Sequence, residues 1–322
     1  MKKIRLLAAL KTGKGMVRTN NEDAFYFNGK YPKLNEMDQE TALSGEFQYQ
    51  NALFAICDGM GGYENGEIAS NIAVSRMIEF QHSLACKEFS PSVTEWVEKT
   101  NSIIIKEARD GGCTLALLYY DSGKIYIAHI GDSRIYRFHN KSLSRITKDH
   151  SKLQVLLDAG MLSEEDAKSY PQRHVITRAL GMNEEENGKC IPTIQQPIIA
   201  VNGDYYIICS DGVTDMLTDK QIADILSRNS NPQKCAETIF SAAMDAGGKD
   251  NTSVIVIEVR SENSKDTVGD GNDDPYESTY TPRVRASESF SIEQITTIKQ
   301  ANGQKVIIKS QISTSQQNSL LL

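Results

Sequence analysis

Four aspartates of this chain stand where an apolar run meets turn residues: Asp23, Asp58, Asp211 and Asp250, with Asp132 and Asp215 as further candidates. In NALFAICDGMGG, residues 51–62, the unbroken apolar stretch is that of a strand covered on both faces, and it stops at Asp58 and a glycine cluster. Gly59, Gly61 and Gly62 would turn the backbone tightly and leave the Gly59 carbonyl free to face whatever Asp58 faces. IAHIGDSR repeats the arrangement at Gly131 and Asp132, and YIICSD repeats it at Asp211, with Asp215 one turn later. A single Asp-Gly after a strand is by default a turn. Recurrence reverses that reading, because carboxylates gathered at strand ends repel one another unless cations lie between them. Hard oxygen ligands suit Mg²⁺ or Mn²⁺. Two such ions bridged by carboxylates acidify water and neutralise phosphoryl charge, a known route to phosphate-ester hydrolysis. Arg18 adds a planar fork able to hold two phosphate oxygens, and Glu22 beside Asp23 adds another carboxylate. A surface ion pair of Arg18 with Glu22 or Asp23 is the plainer alternative.

These residues need elements to hold them. Residues 4–10 read as a first strand rather than a signal peptide, and 24–27 as a second. The polar segment 28–50 shows no period and reads as a loop or long connection. A helix is expected over 67–80, a second over 92–109 after Pro91, and strands over 113–120, 124–130 and 134–139. Residues 151–168 look helical, and 170–199 form a mixed, polar, flap-like insertion. A strand at 206–211 precedes a capping box at Thr218 and Gln221, Asn231 and Pro232 open a helix through Ala246, and a last strong strand covers 253–259. Beyond Arg260 apolar density falls. The domain is therefore placed at 1–260, and 261–322 reads as a Ser/Thr/Asn-rich, mostly disordered tail with a β-hairpin near 295–309 signalled by Asn302-Gly303. Asp270 to Asp274 opens like a calcium loop, but Pro275 and Thr281 occupy the positions of its glycine and glutamate.

The motifs together resemble one family, the metal-dependent or type 2C serine/threonine protein phosphatases in their bacterial form. GMVRTNNEDA (15–24), AICDGMGGYENGEIAS (55–70), GGCTLAL (111–117), IGDSRIYR (130–137), TKDHS (147–151), TRALG (177–181), CSDGVTD (209–215) and DNTSV (250–254) carry the likeness, in the family's order. The resemblance implies an α+β fold: an αββα four-layer sandwich of two antiparallel sheets flanked by helices. It implies hydrolysis of phosphoserine and phosphothreonine with two Mn²⁺ or Mg²⁺ ions, and a third, weaker one. By the same resemblance Asp58 is the bridging ligand, the Gly59 carbonyl serves one ion, and Asp211 and Asp250 serve the other. Glu22 and Asp23 hold metal directly or through water, Arg18 clamps phosphate, and Asp132 and Asp215 join Asp211 around the third ion. Met60 stands where many eukaryotic relatives have histidine, and Tyr63 where bacterial ones often do. No general acid is assigned: His129, His150 and His174 are present, and His129 reads as a core residue within a strand.

The totals agree. The chain has 322 residues, 39% of them hydrophobic, a net charge of −7, and six scattered cysteines without a CxxC pair. That excludes nucleic acid as the main partner, and the cysteines read as buried hydrophobes of a reducing, cytoplasmic setting. No apolar run reaches membrane-spanning length. Expected partners are phosphorylated proteins and a cognate serine/threonine kinase, for a monomeric enzyme. The competing reading is a pseudophosphatase that binds phosphoproteins as a scaffold, which the loss of a metal aspartate would mark; none is lost. A cysteine phosphatase needs arginine six positions after its nucleophile, an aspartyl-phosphate enzyme needs Asp-x-Asp, and a nucleotide phosphate loop needs GxxxxGK; the chain has none of these.

Overall fold

Strands that are apolar on both faces must be covered twice, and here the cover comes from stacking two antiparallel sheets and adding helices outside each. The computed structural model describes residues 4–48, 51–61, 65–167, 170–182, 190–261, 293–299 and 305–311. In chain order the elements are β1 (Ile4–Gly13), β2 (Asp23–Phe27), β3 (Thr41–Gln48) and β4 (Ala52–Met60), then α1 (Gly66–Ser75), α2 (Met77–Leu84) and α3 (Phe89–Glu107). Five strands follow: β5 (Gly112–Cys113), β6 (Leu115–Asp121), β7 (Lys124–Ile130), β8 (Arg134–His139) and β9 (Ser142–Arg145). Helices α4 (Lys152–Asp158) and α5 (Glu164–Ala167) and short strands β10 (Thr193–Ile194) and β11 (Ile198–Ile199) lead to β12 (Tyr205–Cys209). Helices α6 (Asp211–Thr214), α7 (Asp219–Arg228) and α8 (Pro232–Asp245) then precede β13 (Thr252–Ser261).

One sheet runs β3-β1-β13-β12-β8-β9 and the other β10-β7-β6-β4-β2, with β11 also on β7. Side chains alternate between faces along a strand. In β4, Phe54 and Ile56 meet Leu6, Ile208 and Ile257 between the sheets, whereas Leu53 and Ala55 face Ala73, Val97 and Ile104 of the α1–α3 layer. On the far side, Ile207 and Val256 pack under Ile222 and Ile239 of α7 and α8. The four-layer sandwich is therefore present.

Several local expectations change. Strand β4 does not stop at Asp58: it continues to Met60 by pairing Gly59 with Cys113 and Met60 with Gly112. Gly59 has no positive φ; it is glycine because an added Cβ would lie 2.3 Å from the Gly66 carbonyl oxygen and 2.6 Å from that of Glu22. The segment 28–50 contains β3, an edge strand on β1 whose faces alternate between half-buried and exposed, so its polar composition hid it. The helix expected over 67–80 breaks at Arg76 into α1 and α2, and α3 starts at Phe89 with Pro91 in its first turn, where the missing N–H has no intrahelical partner to lose. The helical region after Ser151 is two short helices, and β9 went unread. The Thr218–Gln221 capping box and the Asn231 cap are present.

The chain divides into two units, Met1–Asp266 and Thr267–Leu322. The second contains β14 (Glu293–Lys299) and β15 (Lys305–Gln311), antiparallel, with Ile298 opposite Val306. The expected disorder of the tail 261–322 falls, apart from Ser261 and these two strands, outside the described residues, as do the Asn302-Gly303 turn, Gly62 and Tyr63. No helix among the described residues is long and apolar enough to cross a membrane.

Phe54 is fully buried and meets Phe27 and Phe47 edge-on at 5.2 and 5.3 Å, at the seam between the sheets. Phe54→Ala should cost about 3–5 kcal/mol in urea unfolding, the combined loss of burial and an unfilled cavity.

Candidate metal centre

Antiparallel pairing places the start of one strand beside the end of its neighbour, and this brings the aspartates together. Asp23 begins β2 directly opposite Asp58 in β4, so both side chains leave the same face of the sheet at adjacent positions. Asp132 follows β7, which runs in the same sense as β4 because β6 pairs antiparallel to both. From the other sheet, Asp211 follows β12 and Asp250 precedes the neighbouring β13. Arg18, Glu22, Asp58, Gly59, Asp211, Asp215 and Asp250 line one cleft of about 470 Å³. Asp23 lies behind them, 2% exposed, and Asp132 is close enough to act electrostatically on Asp58 and Asp211.

Such crowding shows in the protonation of the groups. Burial raises Asp58 well above the carboxylate range, and the charges of Asp23, Asp211, Asp132 and Asp250 raise it further. Asp211 is raised likewise by burial and then by Asp132, Asp250 and Asp215. Burial pushes Asp23 up to about 6 against the hydroxyls of Ser210 and Ser253, and pushes Asp132 up to about 6 with help from Asp149. Among the described residues, the Asp58 and Asp211 carboxylates accept no hydrogen bond from the protein, and Asp23 Oδ1 is buried without a partner. Carboxylates left without donors in a shared cavity are the chemistry of a hard-cation site, so the residues fit divalent ions. Arg18 pairs with Asp250 through Nη2 and Oδ2 at 2.8 Å, not with Glu22 or Asp23. Burial works against its charge, but Asp250 outweighs that and holds it cationic.

The supporting atoms are as specific as the carboxylates. Asn251, 4% exposed, accepts from Glu22 N at 2.8 Å and donates to the carbonyls of Lys14 at 3.1 Å and Asn20 at 2.8 Å, which fixes both ends of the Arg18 loop. Ser210 Oγ donates to Asp23 Oδ2 at 2.7 Å, and Thr114 Oγ1 accepts from Asp58 N at 2.9 Å. Gly212 must be glycine, since an added Cβ would sit 2.0 Å from the Asn251 carbonyl. None of these helpers was singled out in the sequence, where each is an ordinary polar or turn residue beside a stronger signal.

The histidines separate. His129 is buried, its Nε2 sits 2.8 Å from the Lys148 carbonyl and its ring stacks on His150 at 4.6 Å, while its Nδ1 finds no partner among the described residues. His150 Nδ1 accepts from Gly131 N at 3.2 Å, and burial with His129 beside it lowers it to about 4. It is a neutral brace for the turn that presents Asp132. His174 instead lines the cleft with Arg173, Lys249, Met60 and Met216. A lone histidine in an aperiodic polar stretch carries no signal that could have singled it out.

Comparison with known proteins follows this geometry. Residues 42–244 match the family model described as Protein phosphatase 2C. The serine/threonine protein phosphatase PstP of Mycobacterium tuberculosis is 31% identical over 257 residues, covering 78% of this chain and 44% of PstP, so the chain spans under half the length of that relative. Protein phosphatase PhpP of Streptococcus pneumoniae serotype 2 is 30% identical, covering 80% of this chain and 99% of PhpP. Among solved structures, the catalytic domain of PstP in complex with two manganese ions matches with a TM-score of 0.64 at 28% identity, covering 80% of this chain and 99% of that one.

Two outcomes test the centre itself. Asp23 and Asp132 are neutral in the fold at a pH where they would be charged in the unfolded chain, so they favour the fold at low pH and that contribution is lost as pH rises through about 6. Protein stripped by chelator should therefore lose melting temperature between about pH 4 and about pH 7, and saturating Mn²⁺ should restore it at the upper end, as thermal scans will show. Asn251→Ala should cost about 2–3 kcal/mol in urea unfolding and weaken Mn²⁺ binding by titration calorimetry, because the Glu22 amide and two carbonyls lose their partner.

Proposed function

The chain belongs to the protein phosphatase 2C family, and on that premise we propose that it is a protein serine/threonine phosphatase dependent on two Mn²⁺ or Mg²⁺ ions. The observation that carries the proposal is the meeting of unpartnered carboxylates from both sheets, Asp58 from one and Asp211 from the other, in the cleft that also presents Arg18. Asp58 would bridge the ions, the Gly59 carbonyl and Glu22 would complete one, and Asp211 and Asp250 the other. Asp23, buried behind the cleft and held by Ser210, would act through water rather than by direct contact. Asp132 and Asp215 would join Asp211 around a third ion. Bound there, the two ions would acidify water and neutralise charge on the phosphoryl group.

The remaining work falls to the chain. Arg18, steered by Asp250, points its guanidinium into the cleft and can take two phosphoryl oxygens at once. The openness of the cleft to solvent admits a side chain carried on a protein. Phosphorylated proteins are then the substrates, a serine/threonine kinase of the same cytoplasm is the enzyme whose products it removes, and the chain acts as a monomer. A scaffolding pseudophosphatase would require the loss of a ligand carboxylate, and each of Glu22, Asp23, Asp58, Asp132, Asp211, Asp215 and Asp250 is in place in the sequence.

The purified chain should release phosphate from a phosphothreonine peptide with Mn²⁺ and lose at least about 100-fold of that rate with excess EDTA or as Asp211→Asn. Equal rates in all three assays would refute the mechanism.

A further inference from the structure

We propose that His174 supplies a ring-nitrogen ligand to the third, outer divalent ion, from the side on which Asp211 and Asp215 face it. The proposal rests on the phosphatase reading of this cleft and adds to its oxygen ligands a nitrogen donor from the flap-like insertion. One donor atom from each of the three residues falls within 4.8 Å of the other two. Ligands about 2.0–2.1 Å from a common ion of Mg²⁺ size lie about 3–4 Å apart, so small side-chain movements close the set. His174 Nδ1 is already 3.4 Å from Asp215 Oδ2. The independent pointer is Asp211, whose carboxylate faces the cleft and, among the described residues, accepts no hydrogen bond and enters no ion pair.

The backbone around His174 is tied down on its C-terminal side. Lys152 N donates to the Val175 carbonyl at 2.8 Å, Thr177 N to the His150 carbonyl at 2.7 Å, and Ile176 bridges Ser151. The imidazole is thereby delivered to the cleft by α4 and its cap rather than by a free loop. Arg173 sets its availability. Arg173 Nε donates to His174 Nε2 at 2.7 Å, and Arg173 Nη2 lies 4.0 Å from Asp215 Oδ2. A ring that ligates through Nδ1 carries its proton on Nε2, so the Arg173 Nε–H must withdraw from that atom. Arg173 thus competes with the ion for His174. A nitrogen ligand also distinguishes this position from the all-oxygen inner ones, shifting its preference from Mg²⁺ toward Mn²⁺.

The test uses the full chain stripped by chelator and loaded with Mn²⁺ alone. All other proposed ligands are oxygens, so pulsed electron paramagnetic resonance should detect nitrogen coupling to Mn²⁺ in the wild type at saturation and lose it in His174→Ala. In calorimetric titration the weakest Mn²⁺ site should lose about 10-fold or more of its affinity in His174→Ala, with the tighter ions unchanged, and should gain affinity in Arg173→Gln. The His174 side chain is 51% exposed, and unchanged melting in chelator confirms that truncation leaves the fold intact. Two tight ions bound without nitrogen coupling, or an unaltered weakest site in His174→Ala, overturns the role of His174 and leaves the phosphatase reading standing. A wild type that binds no Mn²⁺ at all overturns both.

Discussion

Asp23 and Asp58 face each other across two paired strands, and Asp211 and Asp250 approach them from the second sheet. Directly opposed like charges destabilise a sheet, and here burial compounds the effect by withholding water from the charged forms. Asp250 has the Arg18 guanidinium and Asp23 the Ser210 hydroxyl, but among the described residues no donor reaches Asp58 or Asp211. The fold is thus built around a local conflict that hydrophobic burial elsewhere must sustain. Three apolar layers do this: one between the sheets and one under each set of helices. Divalent cations would resolve the conflict, and the same charge density that makes the site unfavourable without them would give it affinity with them.

Holding the carboxylates at fixed separation is the task of residues with no chemistry of their own. Asn251 joins the β13 entrance to the Arg18 loop, so the segment carrying Arg18 is tied to the residue that follows Asp250. Gly59 and Gly212 serve by absence, each allowing a carbonyl from a neighbouring segment to come closer than any side chain would permit. His150, kept neutral by burial, braces the turn before Asp132. The insertion is secured to the same frame at Leu180, which bridges Cys113, the partner of Gly59 in β5. Its Arg173 and His174 side chains line the cleft together with Arg18, Lys249 and the carboxylates.

Much of this was legible from one sequence because the signals are local. An apolar run such as residues 52–57 states that a strand is covered on both faces, and Thr218-x-x-Gln221 or Asn231-Pro232 states where a helix starts, since each satisfies its own backbone groups within a turn. The recurrence of aspartate after such runs, together with the ordered family motifs, pointed to carboxylates that the fold gathers around one cleft. The misreadings share a cause. β3 has only Leu43 and Phe47 to set against the core and pairs along the edge of β1; α1 and α2 part at Arg76, whose carbonyl accepts from Trp96 Nε1 of α3; β4 runs past Asp58 because β5 lies beside it.

The sequence by itself determined which residues could bind a cation and which apolar runs would be strands, because residue type and period are properties of the chain at short range; the two-sheet sandwich was legible only through the family motifs. Tertiary structure alone decided that Asp23 would stand opposite Asp58, that both sheets would present their aspartates at one end, and that His174 rather than His129 or His150 would reach the cleft. Those outcomes depend on strand register and on contacts between segments far apart in the chain, and a one-residue slip of β2 against β4 would have taken Asp23 from its place opposite Asp58.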